Sequence, residues 1–552
     1  MTSLPDEKVK ELERRTFVKR AAGVGVTIAA AGVSSLTPTP ATAAALQDRW
    51  DDEADVIVVG TGGAGYAAAI EAKDAGASVL MVEKAKWFGG RTIHSTGDCQ
   101  MPVSHIQQKA GIEDRVAWAF EDYYNNGGHR AVPEILRVFV EGAADTALWL
   151  EKLGIVWSAP RLQTPDCRVR RTITPVASPN YKGAGGISLV DVLNQHAVKR
   201  QIPIKLEHRL LALMRPNPTG PVLGIQVEHA GQVLNFKAKR AVILATGGYN
   251  ANHRMLRALH PLLDEMWNWA GAPYTQNTGD AHLASARVGA GLADASSPPS
   301  FWIIFGSSQV FRWEPQTPDT PFVRAGLPVP SRNNAAILVE NDGKRFVNEY
   351  TFSSNDEASS PGMTAFLNLP KRPRNVWAIV DSVGAATITW RREQFIDPAA
   401  QKSPHLDPKL IATASTLDEL AVKMGIPAEG LKATIAKYNL LVDSEFGRPF
   451  PYTPIAKPPF YAAKASPLFA DQSSGMRVNA KMQLIDQAFQ MVESGASDSV
   501  TIDKEPVIPH LYGAGEFTGG SFGVSRGHGK LGSYIVQGRV AGKAAAAEAP
   551  WE

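Results

Sequence analysis

The chain has little of several things, and each scarcity narrows what it can do. Its 552 residues include two cysteines, Cys99 and Cys167. Their spacing fits no zinc or iron–sulfur pattern, and there is no C-x-x-C-H for haem attachment, so two free thiols are expected. Charge of one sign is scarce too. Lys and Arg number 57 against 54 Asp and Glu, a formal net of +3, and no basic stretch is interleaved with aromatics. That argues against a nucleic-acid partner. Beyond the N-terminal segment no run of eighteen apolar residues exists, which leaves no stretch suited to a membrane-spanning helix. What remains is ordinary: 44% apolar and 20% charged residues, the composition of a globular protein with a sizeable core. At roughly 150 residues per domain the length suggests about three or four units.

The N-terminus is read as an address, not as fold. "ERRTFVKRAAGVGVTIAAAGVSSLTPTPATAAA" has a charged head with Arg14-Arg15, a weakly apolar stretch from Ala21 to Val33, and small residues suited to cleavage near Ala43. The R-R-x-F-x-K form reads as a twin-arginine export signal over residues 1–45. The apolar part is too short and too rich in Gly and Ala to stay in a bilayer. Export of an already folded chain suits a protein whose cofactor is inserted before crossing.

The next segment is "DEADVIVVGTGGAGYAAAIEAKDAGASVLMVEKAKWFGGR". Asp55 to Val59 is a short β-branched apolar run, which predicts a buried strand. Gly60, Gly62 and Gly65 follow as G-x-G-x-x-G, then an Ala-rich helical stretch, Gly76 as its stop, and a second strand ending at Glu83. The glycines serve a tight turn, close approach of backbone to a pyrophosphate, and helix–strand contact; the diphosphate sits on the helix N-terminus. Glu83, eighteen residues past Gly65, is placed to accept from ribose hydroxyls. Strand, glycines, helix, strand and acid in register are a strong dinucleotide signal, where the glycines alone would be weak.

Further glycine loops point to FAD rather than NAD. Gly89-Gly90 and the segment Ser95 to Asp98 follow at once, where a nicotinamide enzyme would usually enter its next βαβ repeat. "KRAVILATGGYN" (Lys239 to Asn250) and "HLYGAGEFTGG" (His510 to Gly520) are again strands running into glycines. Three such loops far apart in sequence imply one ligand held by both ends of the chain, with another domain inserted between.

The segments "VIVVGTGGAGYAAAIEAKDAGASVLMVEK", "AVILATGGYNAN", "NTGDAHLASARVGA", "NAAILVENDGKRFVNE" and "LYGAGEFTGGSFGVSR…GRVAGKAAA" together resemble the flavoproteins of the fumarate reductase/succinate dehydrogenase superfamily. The likeness is to soluble fumarate reductases of flavocytochrome c type and to 3-ketosteroid dehydrogenases. It implies an α/β fold: a Rossmann-like FAD-binding domain over residues 51–299 and 473–549, with an inserted α+β capping domain over 300–472. It also implies that Glu83 and Lys84 meet the adenosine ribose side, and that Gly89, Gly90 and Thr92 pass along the pyrophosphate and flavin. Ala245, Thr246 and Gly247 would line the adenosine side, and Asp280 and Glu516 would hold sugar or ribityl hydroxyls. The turn at Leu531 to Ser533 would aim helix N–H groups at the flavin, favouring negative charge on its reduced form. Two helical segments, "STLDELAVKMG" and "PAEGLKATIAKYNLLV", read as scaffold.

The chain departs from the family where fumarate would bind. The proton-donor arginine that follows "RFVNE" in the family is replaced by Asn355. In the upstream E-x-x-R element Arg332 remains but Val329 stands for the acid. Asp471 occupies the place of a histidine, and Arg526 keeps the substrate-gripping arginine of the last glycine loop. An asparagine delivers no proton, and an aspartate repels a carboxylate. Each lost charge-assisted contact is worth about 1.5–3 kcal/mol, so fumarate is not expected as substrate. Arg526, Tyr350 and Arg332 are the catalytic candidates, Tyr350 because a phenol can trade a proton with an enolate. The alternatives for Tyr350 and Arg332 are cap packing and an ion pair. His528 and Lys530 are read as bystanders. Trp302, Phe305 and Trp313 hint at an apolar or aromatic substrate, with core packing as the alternative. No metal site is expected.

The resulting expectation is an exported FAD-dependent oxidoreductase that reduces or forms a C=C bond next to a carbonyl or carboxylate. The alternatives are a ketosteroid-like or cyclic-ketone dehydrogenase, and a non-catalytic FAD electron-transfer subunit. With no haem motif or second dinucleotide fingerprint, electrons would come from a cytochrome c or quinone-linked partner.

Overall fold

The computed structural model describes residues 49–162, 167–178, 180, 185–261, 267–268, 276–293, 300–307, 335–349, 361–387, 406–442, 445–448, 452–472, 474–487, 505–522 and 530–551. The export signal read at residues 1–45 lies outside them.

Strand β1 (Asp52–Val59), helix α1 (Gly63–Asp74) and strand β2 (Val79–Val82) form the expected opening unit, with Gly76 at φ +91° just past the helix. β2 ends one residue before Glu83. β1 lies parallel to β2 on one side and to the long strand β3 (Gln232–Leu244) on the other. Such central strands are covered on both faces, which is why Val56, Ile57 and Val58 are fully buried and the run is continuously apolar rather than alternating. Among the described residues the larger sheet has eight strands. Its main order runs Gln483–Ile485, Val507–Gly513, β3, β1, β2, Ile204–Lys205, and a hairpin of Arg209–Met214 and Gly224–His229 pairs with the first half of β3.

The C-terminal helix, Leu531–Ala547, lies against α1. An ideal Cβ on Gly538 would stand 2.2 Å from the Ala64 carbonyl oxygen, and one on Gly542 would stand 2.3 Å from that of Ala68. Positions four apart share one helix face. Two small residues on each helix therefore bring the backbones into contact, and the last segment of the chain seals the first.

A second sheet, of six strands among the described residues, is built around the twelve-residue strand Phe460–Asp471. It pairs with Ser300–Phe305, Trp377–Val380 and Ile411–Ala414, while Ile337–Val339 flanks Trp377–Val380 and Trp267–Asn268 joins in parallel. Helices Leu417–Met424 and Ala428–Tyr438 pack Leu420, Leu431 and Ile435 against Ile337, Trp377 and Ile379. They are the scaffold helices read from sequence, the first capped by Thr416 Oγ1, which accepts from the Glu419 amide, and stopped by Gly425. Phe305 is wholly buried in the core on this sheet's other side, so it is packing and not substrate lining; the side chains of Trp302 and Trp313 lie outside the description. Cys99 and Cys167 are free and buried, as expected. No described helix is long and apolar enough to cross a membrane.

Candidate active site

A cleft opens along the carboxyl ends of β1, β2 and β3, where open parallel sheets bind their ligands.

The turn after β1 shapes its centre. Gly60 adopts φ +104°, and a Cβ there would stand 2.4 Å from the Ala245 carbonyl oxygen; only glycine lets β1 cross the end of β3 so closely. Gly65 does not line the cleft: its Cβ would lie 2.0 Å from the Gly60 carbonyl oxygen, so its absence lets α1 seat on the turn. Gly62 caps α1 without a side chain, and its nearest neighbour is Thr92 Oγ1, 3.6 Å from an ideal Cβ. Thr92 Oγ1 accepts from the Gly63 amide at 3.0 Å. The N-terminus of α1 thus borders a glycine-walled space, which is the environment a diphosphate needs.

At one end Glu83 is buried and already oriented. One carboxylate oxygen accepts from Thr61 N at 3.2 Å and Thr61 Oγ1 at 2.8 Å; the other accepts from Ala85 N at 3.0 Å. Beside it Lys84 Nζ reaches Asp280 at 3.0 Å, and Arg209 reaches the same carboxylate at 3.1 Å. Burial pulls the Asp280 carboxyl upward, but Arg209 and Lys84 outweigh it and hold it below its ordinary value. Burial lowers Lys84. Across the cleft stand Ala245, Thr246 and Gly247. Thr246 Oγ1 is buried and has no hydrogen-bond partner among the described residues; a bound ligand would supply one. Glu516 accepts from Arg91 Nη1 at 3.0 Å and from the Gln472 amide at 3.1 Å.

The other end is made by Gly90, Thr92, Ser95, Thr96 and Asp98 on one side and by Lys530, Leu531 and Tyr534 on the other. Asp98 accepts from Arg161 and, at 2.7 Å, from Thr174 Oγ1. Two expected residues stand behind this wall. Gly89 makes a turn at φ +101°, where a Cβ would strike Ile93 at 2.3 Å, and Ser533 donates to the Lys530 carbonyl at 2.9 Å, closing the helix start. Lys530 corrects the sequence reading: it is 5% exposed and faces the cleft, not solvent. Arg91, in the helical turn Gly90–His94, was missed, while Asn277 and Asp98 fell inside segments read for the cofactor without being singled out. Arg526, Tyr350 and Arg332 lie outside the described residues, as do Asn355 and His528.

Glycine walls, a helix N-terminus, the oriented carboxylate of Glu83 and a Thr246 hydroxyl without a partner among the described residues all fit FAD. The family model for the FAD binding domain matches residues 55–530. A fumarate reductase (cytochrome) of Shewanella frigidimarina is 30% identical over 518 residues, covering 91% of this chain and 79% of that one. A urocanate reductase of Eggerthella lenta is 29% identical, covering 90% and 75%. The open conformation of a flavocytochrome c3 fumarate reductase superposes with a TM-score of 0.70 at 26% identity, covering 91% of this chain and 80% of that one. The chain belongs to the FAD binding domain family and, within it, to the fumarate reductase/succinate dehydrogenase flavoproteins, FAD-dependent oxidoreductases whose relatives act on carbon–carbon double bonds.

Proposed function

We propose that the protein reduces, or in reverse forms, a C=C bond conjugated to a carbonyl or a single carboxylate, and that fumarate is not its substrate. FAD bound in the cleft supplies the hydride exchange with carbon. The observation that carries the reading is the pairing of a cleft suited to FAD with Asn355, Val329 and Asp471 at the positions that would serve a dicarboxylate. Arg526 grips the activating carbonyl or carboxylate, Tyr350 exchanges the second proton, and Arg332 supports the charge. Residues 51–299 and 473–549 hold FAD, and residues 300–472 close over it.

The Arg14-Arg15 signal supports export to the periplasm or beyond by the twin-arginine route. Electrons then pass through a cytochrome c or a quinone-linked partner, a reading supported by the likeness to the Shewanella fumarate reductase (cytochrome).

The test is anaerobic photoreduction of the FAD-loaded protein followed by mixing with candidate acceptors. Enoates with one carboxylate and enones reoxidise it within turnover time, and fumarate does not. Rapid reoxidation by fumarate alone would overturn the proposal.

A further inference from the structure

A second cavity lies beside the helices of the second sheet and shares no described residue with the FAD cleft. It forms where the turn Asp342–Gly343 seats on the helix Ala428–Tyr438. Gly343 adopts φ +78°, and an ideal Cβ on Gly430 would stand 2.0 Å from the Asp342 carbonyl oxygen, so two glycines let the turn lie against the helix backbone. That contact delivers Lys344 and Arg345 to one side of the cavity, while the helix supplies Thr434, Lys437 and Tyr438.

The lining grades from aromatic at the bottom to charged at the rim. Tyr438 and Tyr452 are 2% and 6% exposed, and their rings stack with centroids 4.9 Å apart. Lys344 and Lys437 are exposed, each in an ion pair, with Asp342 at 2.9 Å and with Glu445 at 2.5 Å. Exposed pairs of that kind are weak in water and exchange readily for another anion. Arg345 and Arg448, which face the Tyr438 ring at 5.5 and 5.4 Å, are both held by the buried Glu349. One group at the bottom is unused: Tyr438 Oη has no hydrogen-bond partner among the described residues. Burial pushes this hydroxyl above the usual tyrosine range, so it stays protonated and able to donate. A buried hydroxyl left unpaired is costly and rare, and an acceptor on a bound molecule would satisfy it.

We propose that this cavity is a second binding site, for a small aromatic acid whose ring lies against the tyrosines, whose far oxygen accepts from Tyr438 Oη, and whose carboxylate meets Lys437 and Lys344 at the rim. Stacked tyrosine rings favour a flat apolar body. A donor at the bottom and cations at the top ask for oxygen functions at opposite ends of it. The inference uses no residue of the FAD cleft and no alkene, so it and the proposed function fail separately.

The test uses the FAD-loaded protein with 4-hydroxybenzoate as the probe, which carries oxygens at both ends of one ring and has no alkene for the flavin to reduce. Isothermal titration calorimetry shows saturable binding, and benzoate and phenol, each lacking one function, bind more weakly by roughly threefold or more. Tyr438→Phe keeps the stacked ring and removes only an unpaired hydroxyl, so the fold survives; it weakens the probe about fivefold and leaves benzoate unchanged. Ala433→Phe, at an exposed position of the helix lining the cavity, fills the space and abolishes binding. The flavin absorption spectrum stays constant throughout. The absence of saturable binding, binding that survives Ala433→Phe, or an equal loss of benzoate in Tyr438→Phe would each overturn the proposal. So would a flavin spectral change that tracks saturation, which places the probe in the FAD cleft.

Discussion

The carboxamide oxygen of Gln472 accepts from the backbone amide of Tyr249 at 2.7 Å, tying the end of the second sheet's central strand to the loop after β3. The Gln472 amide donates to Glu516 in the cleft, so one residue links the second sheet to both FAD-side loops. An ideal Cβ on Gly248 would fall 1.8 Å from that same oxygen. Gly248→Ala therefore turns the Gln472 side chain away and leaves the buried Tyr249 amide unpaired, costing about 1–3 kcal/mol. We expect a lower melting temperature and faster FAD release, read by differential scanning fluorimetry and flavin fluorescence.

Gly538 is less forgiving, because what it meets is backbone. Its missing side chain lets the C-terminal helix rest on Ala64, which itself lines the cleft. Gly538→Leu forces the helices apart, and overpacking of this kind costs about 1–3 kcal/mol or more. The expected outcome is a protein purified largely without FAD, measured by the ratio of flavin to protein absorbance. Gly76→Ala, at a glycine with nothing within 4 Å of its Cβ, has a strained φ but no such clash, and it retains FAD.

Glu83 braces the turn after β1 by accepting from Thr61 and Ala85. Glu83→Gln keeps the shape but loses the charge and one acceptor. A charge-assisted hydrogen bond contributes about 1.5–3 kcal/mol, so the dissociation constant for FAD rises by roughly tenfold to a hundredfold. Titration of apoprotein with FAD, followed by fluorescence quenching, checks it.

Stability falls in acid, and the sign follows from two histidines. Burial pushes both His94 and His282 down to about 3, while unfolded imidazoles take a proton near 6.5. Between those values the unfolded chain binds more protons, so stability declines as pH drops below about 6.5, by up to roughly 1.4 kcal/mol per unit for each histidine. Asp280 adds a second loss. Its depressed carboxyl contributes stability that is present above about pH 4 and disappears as pH falls through its folded value. The melting temperature should fall steadily from pH 7 to pH 4.5, and His282→Asn should flatten the upper part of that slope.

The opening βαβ unit was legible because its signals are local. Gly60, Gly62 and Gly65 are spaced by a turn and one helical step, and Glu83 stands at the end of the next strand. The helices after Thr416 and Pro427 were legible for the same reason, through caps and apolar spacing. Lys530 was misread because its local surroundings, glycines and other polar groups, are those of a loop. Nothing in the sequence says that Cys99 will pair with it from more than four hundred residues away. Phe305 was ambiguous since an aromatic in a strand looks the same whether it faces a ligand or a core; the packing of a second sheet decided for the core.

By itself the sequence determined a dinucleotide fingerprint at its first strand–turn–helix, FAD as the cofactor, and the family to which the chain belongs. Those conclusions rest on short-range constraints, above all positions where only glycine fits. The tertiary structure alone decided which distant side chains meet there: Arg91 with Glu516, Arg161 with Asp98, Gln472 with Tyr249, and Lys530 in the wall of the cleft. The physical reason is that an ion pair or a close backbone contact depends on where loops are carried by the sheets beneath them, and that placement is written in the packing of the whole core and not in any one segment.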